Sequence, residues 1–141
     1  MPFEFAQETP FDYVPGDHVR QDKALRGLTN YHDGLAAEDA VAVHYAAKGY
    51  QVVARRWRGQ AGEIDLICRG SDGFVFVEVK KSNNFAAAAS HLSFAQLGRI
   101  ALAGEEYIGT QADDPLSPMR LDLAMVDGTG RIEILENLTL Y

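Results

Sequence analysis

Apolar and polar positions are most sharply patterned between Gly62 and Ser82, where GEIDLI and FVFVEVKK flank the tetrapeptide Gly70-Ser71-Asp72-Gly73. Two apolar runs of strand length around a glycine-bounded turn predict a β-hairpin. Before it, residues 33–49 (DGLAAEDAVAVHYAAKG) are rich in alanine, carry acids early and end in Gly49, which predicts a helix. YQVVARRWRG then predicts a strand. After the hairpin, SNNFAAAAS reads as a loop, and HLSFAQLGRIALAGEEYIG as a second helix with Phe94, Leu97, Ile100, Ala101, Gly104 and Ile108 on one face. QADDPLSP breaks that helix, and MRLDLAMVDG and RIEILENLTL predict two last strands. Residues 1–32 hold no sustained period and contain Pro2, Pro10, Pro15 and Gly16. They predict an irregular arm whose Phe3, Phe5, Phe11 and Tyr13 pack on the body or on a neighbouring subunit. The order of arm, helix, three strands, helix and two strands is that of an α/β fold around a small mixed sheet, in one domain over residues 33–141.

Three charges, Asp65, Glu78 and Lys80, interrupt the apolar runs of the hairpin. A buried charge is costly unless it is paired, so each needs an account. If Ser71 and Asp72 form the turn, Asp65 faces Glu78, and like charges directly opposite are destabilising. If Asp72 and Gly73 form it, Asp65 faces Lys80, an ordinary cross-strand ion pair. In both registers, alternation along a strand puts the three charges on one face. Two carboxylates held together on a rigid sheet make sense around a divalent cation. Mg²⁺ prefers hard oxygen ligands and takes one or two carboxylates plus waters and substrate phosphate. A lysine two residues beyond the second carboxylate could orient or deprotonate a water, or neutralise charge developing on a phosphate. The pattern points to metal-assisted phosphodiester hydrolysis, with Mg²⁺ as cofactor and Mn²⁺ as a possible substitute.

The net charge of -7 changes this picture less than its distribution does. Residues 1–39 hold three Lys/Arg against eight Asp/Glu, residues 40–103 eight against four, and residues 104–141 two against eight. A basic middle flanked by acidic ends is either a grouping of solvated side chains or a basic working face on an acidic body. No apolar run approaches the ~20 residues that cross a bilayer, so no membrane association is expected. The acidic, proline-containing start is unlike a signal peptide, and the lone Cys68 permits no internal disulfide, so the expected compartment is the cytoplasm. Inside a predicted strand, Cys68 reads as a small core hydrophobe.

GEIDLI, FVFVEVK and the upstream KGYQVVARRWR resemble the small YraN-type proteins, bacterial members of the PD-(D/E)XK nuclease-like superfamily. The resemblance spans about Leu35 to Leu138 and leaves out the arm. It implies a restriction-endonuclease-like αβββαβ core with a mixed central sheet flanked by helices. By the same resemblance Asp65 and Glu78 are metal ligands and Lys80 the catalytic lysine, while Glu38 matches the family's first-helix glutamate and completes the acidic cluster directly or through water. Glu38 alone would read equally well as compensation of the helix dipole. Glu63 matches the family's GEID and supports the ligands. Arg58 matches the arginine upstream of that motif. Gln96 and Arg99 lie on the second helix where superfamily members place a polar residue near the site. Arg120-Leu121-Asp122 resembles the family's late RFD and reads as structural. The chain departs from the family at Ala37 (usually Gly), Arg56 (usually Asn) and Gln96 (commonly Lys).

Arg55, Arg56 and Arg58, with Lys81 and Arg99, are the candidates for nucleic-acid contact, since guanidinium groups suit phosphate. Trp57 could stack on an unpaired base or sit in the core. His18, His32, His44 and His91 share no metal-ligand spacing, and no glycine-rich phosphate loop or nucleophile elbow is present. The leading expectation is a Mg²⁺-dependent endonuclease, a hydrolase acting on DNA in preference to RNA. The other is an adaptor that binds nucleic acid or a protein partner and keeps the fold without efficient cleavage. A homodimer is compatible with both.

Overall fold

In the computed structural model, residues 34–111 and 117–138 are described. The expected arm, residues 1–32, and most of the break at 111–118 lie outside them. The chain is helical from 34 to 47 (α1), where alanines dominate and Gly49 (φ 95°) ends the helix in a left-handed conformation that a residue with a Cβ adopts at a cost. Strands β1 (Gln51–Arg58), β2 (Glu63–Gly70) and β3 (Gly73–Lys81) follow as predicted. They form an antiparallel meander, with Gly70 paired to Gly73 and Leu66 to Val77. Ser71 and Asp72 therefore make the turn, and the register that sets Asp65 toward Glu78 is the one adopted.

The SNNFAAAAS segment, expected as a loop, is partly helical. Residues Phe85–Ser90 form a short helix (α2) whose N-cap, Asn84, accepts a hydrogen bond from the Ala87 amide. Four consecutive alanines have the best intrinsic helix propensity, and the cap removes an orphan donor. Helix α3 (Phe94–Gly109) is opened by a Ser93–Gln96 capping box. Its buried residues are Leu97, Ile100, Ala103, Gly104, Tyr107 and Ile108. The predicted face was turned slightly: Phe94, in the first turn, is 73% exposed, and Tyr107 takes the inner position. α2 and α3 supply the crossover that a parallel strand needs, and β4 (Met119–Val126) pairs parallel to β3. β5 (Ile132–Leu135) pairs antiparallel to β4 and completes a five-stranded mixed sheet in the order β1-β2-β3-β4-β5.

Each face of the sheet buries its own core. Val41 and Tyr45 of α1 cover Leu66, Cys68, Val75, Val77 and Ala124 on one side. Ile100, Ala103 and Tyr107 of α3 cover Ile64, Ile67, Phe74, Phe76 and Leu121 on the other. Cys68 is fully buried, as expected of a core hydrophobe. α3 comes so close at Gly104 that a Cβ there would lie 2.9 Å from the Phe76 ring. Asp122, 1% exposed, ties the first layer together. It accepts hydrogen bonds from Tyr45 Oη (2.6 Å), Arg120 Nε (2.9 Å) and the Asn137 amide (2.9 Å). Three segments distant in sequence, around Tyr45, Arg120–Asp122 and Asn137, are thus joined at one carboxylate, the structural part expected of Arg120-Leu121-Asp122. Among the described residues no helix is long and apolar enough to cross a membrane.

Candidate active site

Alternation fails in β2 at one residue. Ile64 and Ile67 both pack in the α3-side core, whereas Leu66 and Cys68 pack in the α1-side core. Residues three apart cannot share a face of a regular strand, so one of the intervening residues is extra. Ladder pairing with β3 stops at Leu66–Val77, and beyond it the Asp65 carboxylate itself accepts from the Val79 amide at 2.8 Å. Asp65 has taken over a ladder bond. Across in β1, between the pairs Arg55–Leu66 and Trp57–Ile64, Arg56 adopts φ 51°. A non-glycine residue there costs about 1–2 kcal/mol. Irregularities of this kind bend a strand and re-aim a side chain.

The side chain re-aimed here meets Glu78. The Glu78 carboxyl lies close enough to that of Asp65 for the two to disfavour each other's negative charge. Burial, and after it the Asp65 charge, push the Glu78 pKa up to about 7, against the opposing effect of Lys80. Lys80 Nζ lies 3.2 Å from Glu78 Oε2. Glu78 and Lys80 share one face of β3 and pair with Leu123 and Met125 of β4, which pack beside Ala88 of α2. Lys80 is thus bound to Glu78, and the ion pair considered between Asp65 and Lys80 is replaced by the carboxylate contact.

Glu38 reaches the same neighbourhood from α1. It is 8% exposed, and Arg56 Nε donates to its Oε1 at 3.1 Å. Burial raises its pKa, Arg56 opposes that, and the charges of Asp65 and Glu63 reinforce it. Glu38 therefore feels Asp65 and Glu63, and Glu78 feels Asp65, so Asp65 links the acids of α1 and β3. The basic candidates sit around them already engaged: Arg55 bonds Asp39, and Arg58 lies 3.8 Å from Glu63. Arg99 packs its aliphatic stem over Gly62, whose Cβ, if present, would be 2.9 Å from Arg99 Cδ. Lys81 is exposed at the end of β3. Gln96 does something other than support the ligands. Its Oε1 accepts from the Ser93 amide, so its side chain is held at the start of α3 as a cap.

One contributor had no signal in the sequence. Glu106 of α3 accepts from the amides of Gln60 (2.8 Å) and Ala61 (3.3 Å), and so holds the β1–β2 turn that leads into Glu63 and Asp65. Its partner is loop backbone, which no residue type announces. Asp39 was missed for a plainer reason: its partner Arg55 is 16 residues away.

Among the described residues no group of three or more carboxylate, imidazole or thiol side chains stands ready to hold a metal. The donor chemistry at Asp65–Glu78 still fits a hard cation. Two oxygen donors kept together against their own repulsion are what Mg²⁺ uses beside water and phosphate. Glu38 is turned to Arg56 instead. A cleft of about 340 Å³ lies elsewhere, at the hairpin end of β2–β3, lined by Lys48, Tyr50, Asp72, Phe74 and Arg120 among others. The paired carboxylates and the strained backbone lie at the other end of these strands, and chemistry decides between the two places.

A family model described as Uncharacterised protein family UPF0102 matches residues 37–126. The chain belongs to the UPF0102 family. A UPF0102 protein of Ruegeria pomeroyi is 52% identical over 114 residues, covering 81% of this chain and 93% of that protein. One from Cereibacter sphaeroides is 48% identical over 113 residues (80% and 97%), and one from Dinoroseobacter shibae 42% over 129 residues (92% and 94%). The matched segment begins at Ala37, beside Glu38, and ends with β4, so it contains every carboxylate of the candidate site.

Proposed function

We propose that this UPF0102 protein is a YraN-type member of the PD-(D/E)XK nuclease-like superfamily that hydrolyses phosphodiester bonds in nucleic acid, DNA in preference to RNA, with Mg²⁺. The observation that carries this reading is the contact of the Asp65 and Glu78 carboxyls where the β2–β3 ladder ends, with Lys80 3.2 Å from Glu78. Burial and the Asp65 charge disfavour the Glu78 anion, and a divalent cation would be the counter-charge that lets both carboxylates stay ionised. When bound, that cation would supply Lewis-acid polarisation of a phosphate oxygen. Asp65 and Glu78 would hold it, with Asp65 fixed by the Val79 amide. Lys80 would then lose part of Glu78 and turn its ammonium to the phosphate or to a water beside it.

The test is a cleavage panel over single-stranded, duplex and branched DNA and over RNA, with Mg²⁺, Mn²⁺ or chelator. Metal-dependent cleavage lost in Glu78→Gln and Lys80→Ala is the expected result; cleavage of none of these substrates by the parent removes the reading. The engagement of Arg55, Arg56 and Arg58 by carboxylates favours a second reading, an adaptor that binds nucleic acid or a protein partner without cleaving. Retained binding with no cleavage in any metal would select it.

A further inference from the structure

The guanidinium of Arg56 stands on Glu38, a buried carboxylate close enough to Asp65 to feel its charge. The Arg56 backbone is held at φ 51° between the pairs Arg55–Leu66 and Trp57–Ile64, the interval that holds Asp65 in β2, and its Nε bonds Glu38 Oε1 at 3.1 Å. Glu38 is buried and has Asp65 and Glu63 nearby, so it needs a positive neighbour for the fold to keep it. A strained residue persists only when its surroundings over-determine it, and the gain here is that neighbour.

We propose that Arg56 is a resident counter-cation that competes with the divalent metal for Glu38 and hands that carboxylate over when a nucleic-acid phosphate takes the guanidinium. This rests on the metal-dependent reading above and adds its regulation. The protein would keep its acidic site folded without metal, load metal weakly alone, and load it tightly beside a phosphodiester. A guanidinium half in solvent can make the exchange: the Arg56 side chain is 38% exposed and that of Glu38 11%. Its fork suits phosphate at least as well as carboxylate. Metal and nucleic acid would then bind with mutual reinforcement, equal in both directions.

The experiment is Mn²⁺ binding to the full chain, followed by electron paramagnetic resonance, with and without a short single-stranded oligodeoxynucleotide. Arg56→Asn is the variant of choice, because asparagine tolerates a left-handed backbone and carries no charge; circular dichroism confirms the fold. Losing a charge-assisted competitor should tighten Mn²⁺ roughly tenfold in Arg56→Asn. The gain should vanish when Glu38→Gln is added, because the competition runs through that carboxylate. The oligonucleotide should tighten Mn²⁺ in the parent and not in Arg56→Asn. Equal or weaker Mn²⁺ affinity in Arg56→Asn overturns the competition and leaves the metal centre standing, provided that Glu78→Gln lowers Mn²⁺ binding. Equal coupling to the oligonucleotide in both proteins overturns the hand-over. No Mn²⁺ bound by parent or variants, with or without oligonucleotide, overturns the metal reading and this proposal together. If Arg56→Asn fails to fold, Arg56→Lys replaces it: a point charge without the fork should weaken the grip on Glu38 and move Mn²⁺ affinity in the same direction.

Discussion

At the scale of a residue, Glu78 is where stability and function pull apart. Its pKa is about 7 in the folded protein against an ordinary 4.5, because burial and then Asp65 disfavour its anion. Between those two values the unfolded chain has released the proton and the folded one still holds it. Metal-free protein should therefore lose stability as pH rises from about 4.5 to about 7, by on the order of 3 kcal/mol, and change little above that through this group. Glu78→Gln should flatten that slope and melt no lower than the parent at neutral pH. Mg²⁺ should raise the melting temperature of the parent by mass action and leave Glu78→Gln nearly unmoved. Thermal melts across pH, with Mg²⁺ and with chelator, check all of this. A sharp loss of stability in chelated Glu78→Gln would mean that Glu78 serves Lys80 as an ordinary ion-pair partner. Cys68 gives a second readout: burial, and after it the Asp122 charge, push its thiol up to about 12. Alkylation at pH 8 should proceed only as fast as the protein opens, and immediate labelling would place the thiol outside the core.

Elements were legible in the sequence wherever period and punctuation agreed. The hairpin itself, α1 and α3 rest on such agreement, while the choice between a turn at Ser71–Asp72 and one at Asp72–Gly73 is made only by the pairing of Gly70 with Gly73. The proximity of Asp65 and Glu78 was also legible, but partly for a different reason from the one that holds. Strict alternation put them on one face, whereas the strand breaks alternation at Asp65 and turns its carboxylate to the Val79 amide. A bulge is set by the backbone's surroundings and leaves little trace in residue type. The same holds for Glu106, whose partners are loop amides, and for Gln96, where a cap could have been read from the Ser93 spacing but the family's pattern drew the residue toward the site. Asp122 is the element-scale prediction. Asp122→Ala would strand the Arg120 guanidinium, the Tyr45 hydroxyl and the Asn137 amide together, costing about 3–5 kcal/mol. Tyr45→Phe removes one of those bonds and should cost about 1 kcal/mol. Chemical denaturation measures both, and similar values for the two variants would mean that the carboxylate is not the joint between α1, β4 and the segment after β5.

For the whole molecule, the basic middle of the chain does not fold into a bare positive face. Arg55, Arg56 and Arg58 leave β1 beside carboxylates of α1 and β2, at Asp39, Glu38 and Glu63. The Arg55–Asp39 and Arg58–Glu63 pairs are exposed and worth about 0–1 kcal/mol each, so a phosphate can displace the acid there at small cost. Buried Glu38, by contrast, gives up Arg56 only in exchange for another positive charge. In the proposed exchange the acids would remain close by and repel a polyanion, so non-specific affinity should be low on a chain of net charge -7. Binding should then need all three arginines at once and fall steeply with salt, since each neutralised phosphate releases counterions with a slope of about -0.7 to -0.9 in log–log form. Replacing Arg55, Arg56 and Arg58 together by Ala should weaken binding to single-stranded and duplex oligonucleotides alike and lower the slope by roughly 2 to 3. Replacing Asp39, the partner of Arg55, by Asn should do the opposite, strengthening binding while leaving the slope nearly unchanged, because it removes a repelling charge without adding a phosphate contact. Titrations over a range of KCl concentrations check both variants. Binding that ignores salt, or that survives loss of the three arginines, would move the nucleic-acid surface away from β1 and leave the arginines as mere counter-charges for the acids beside them.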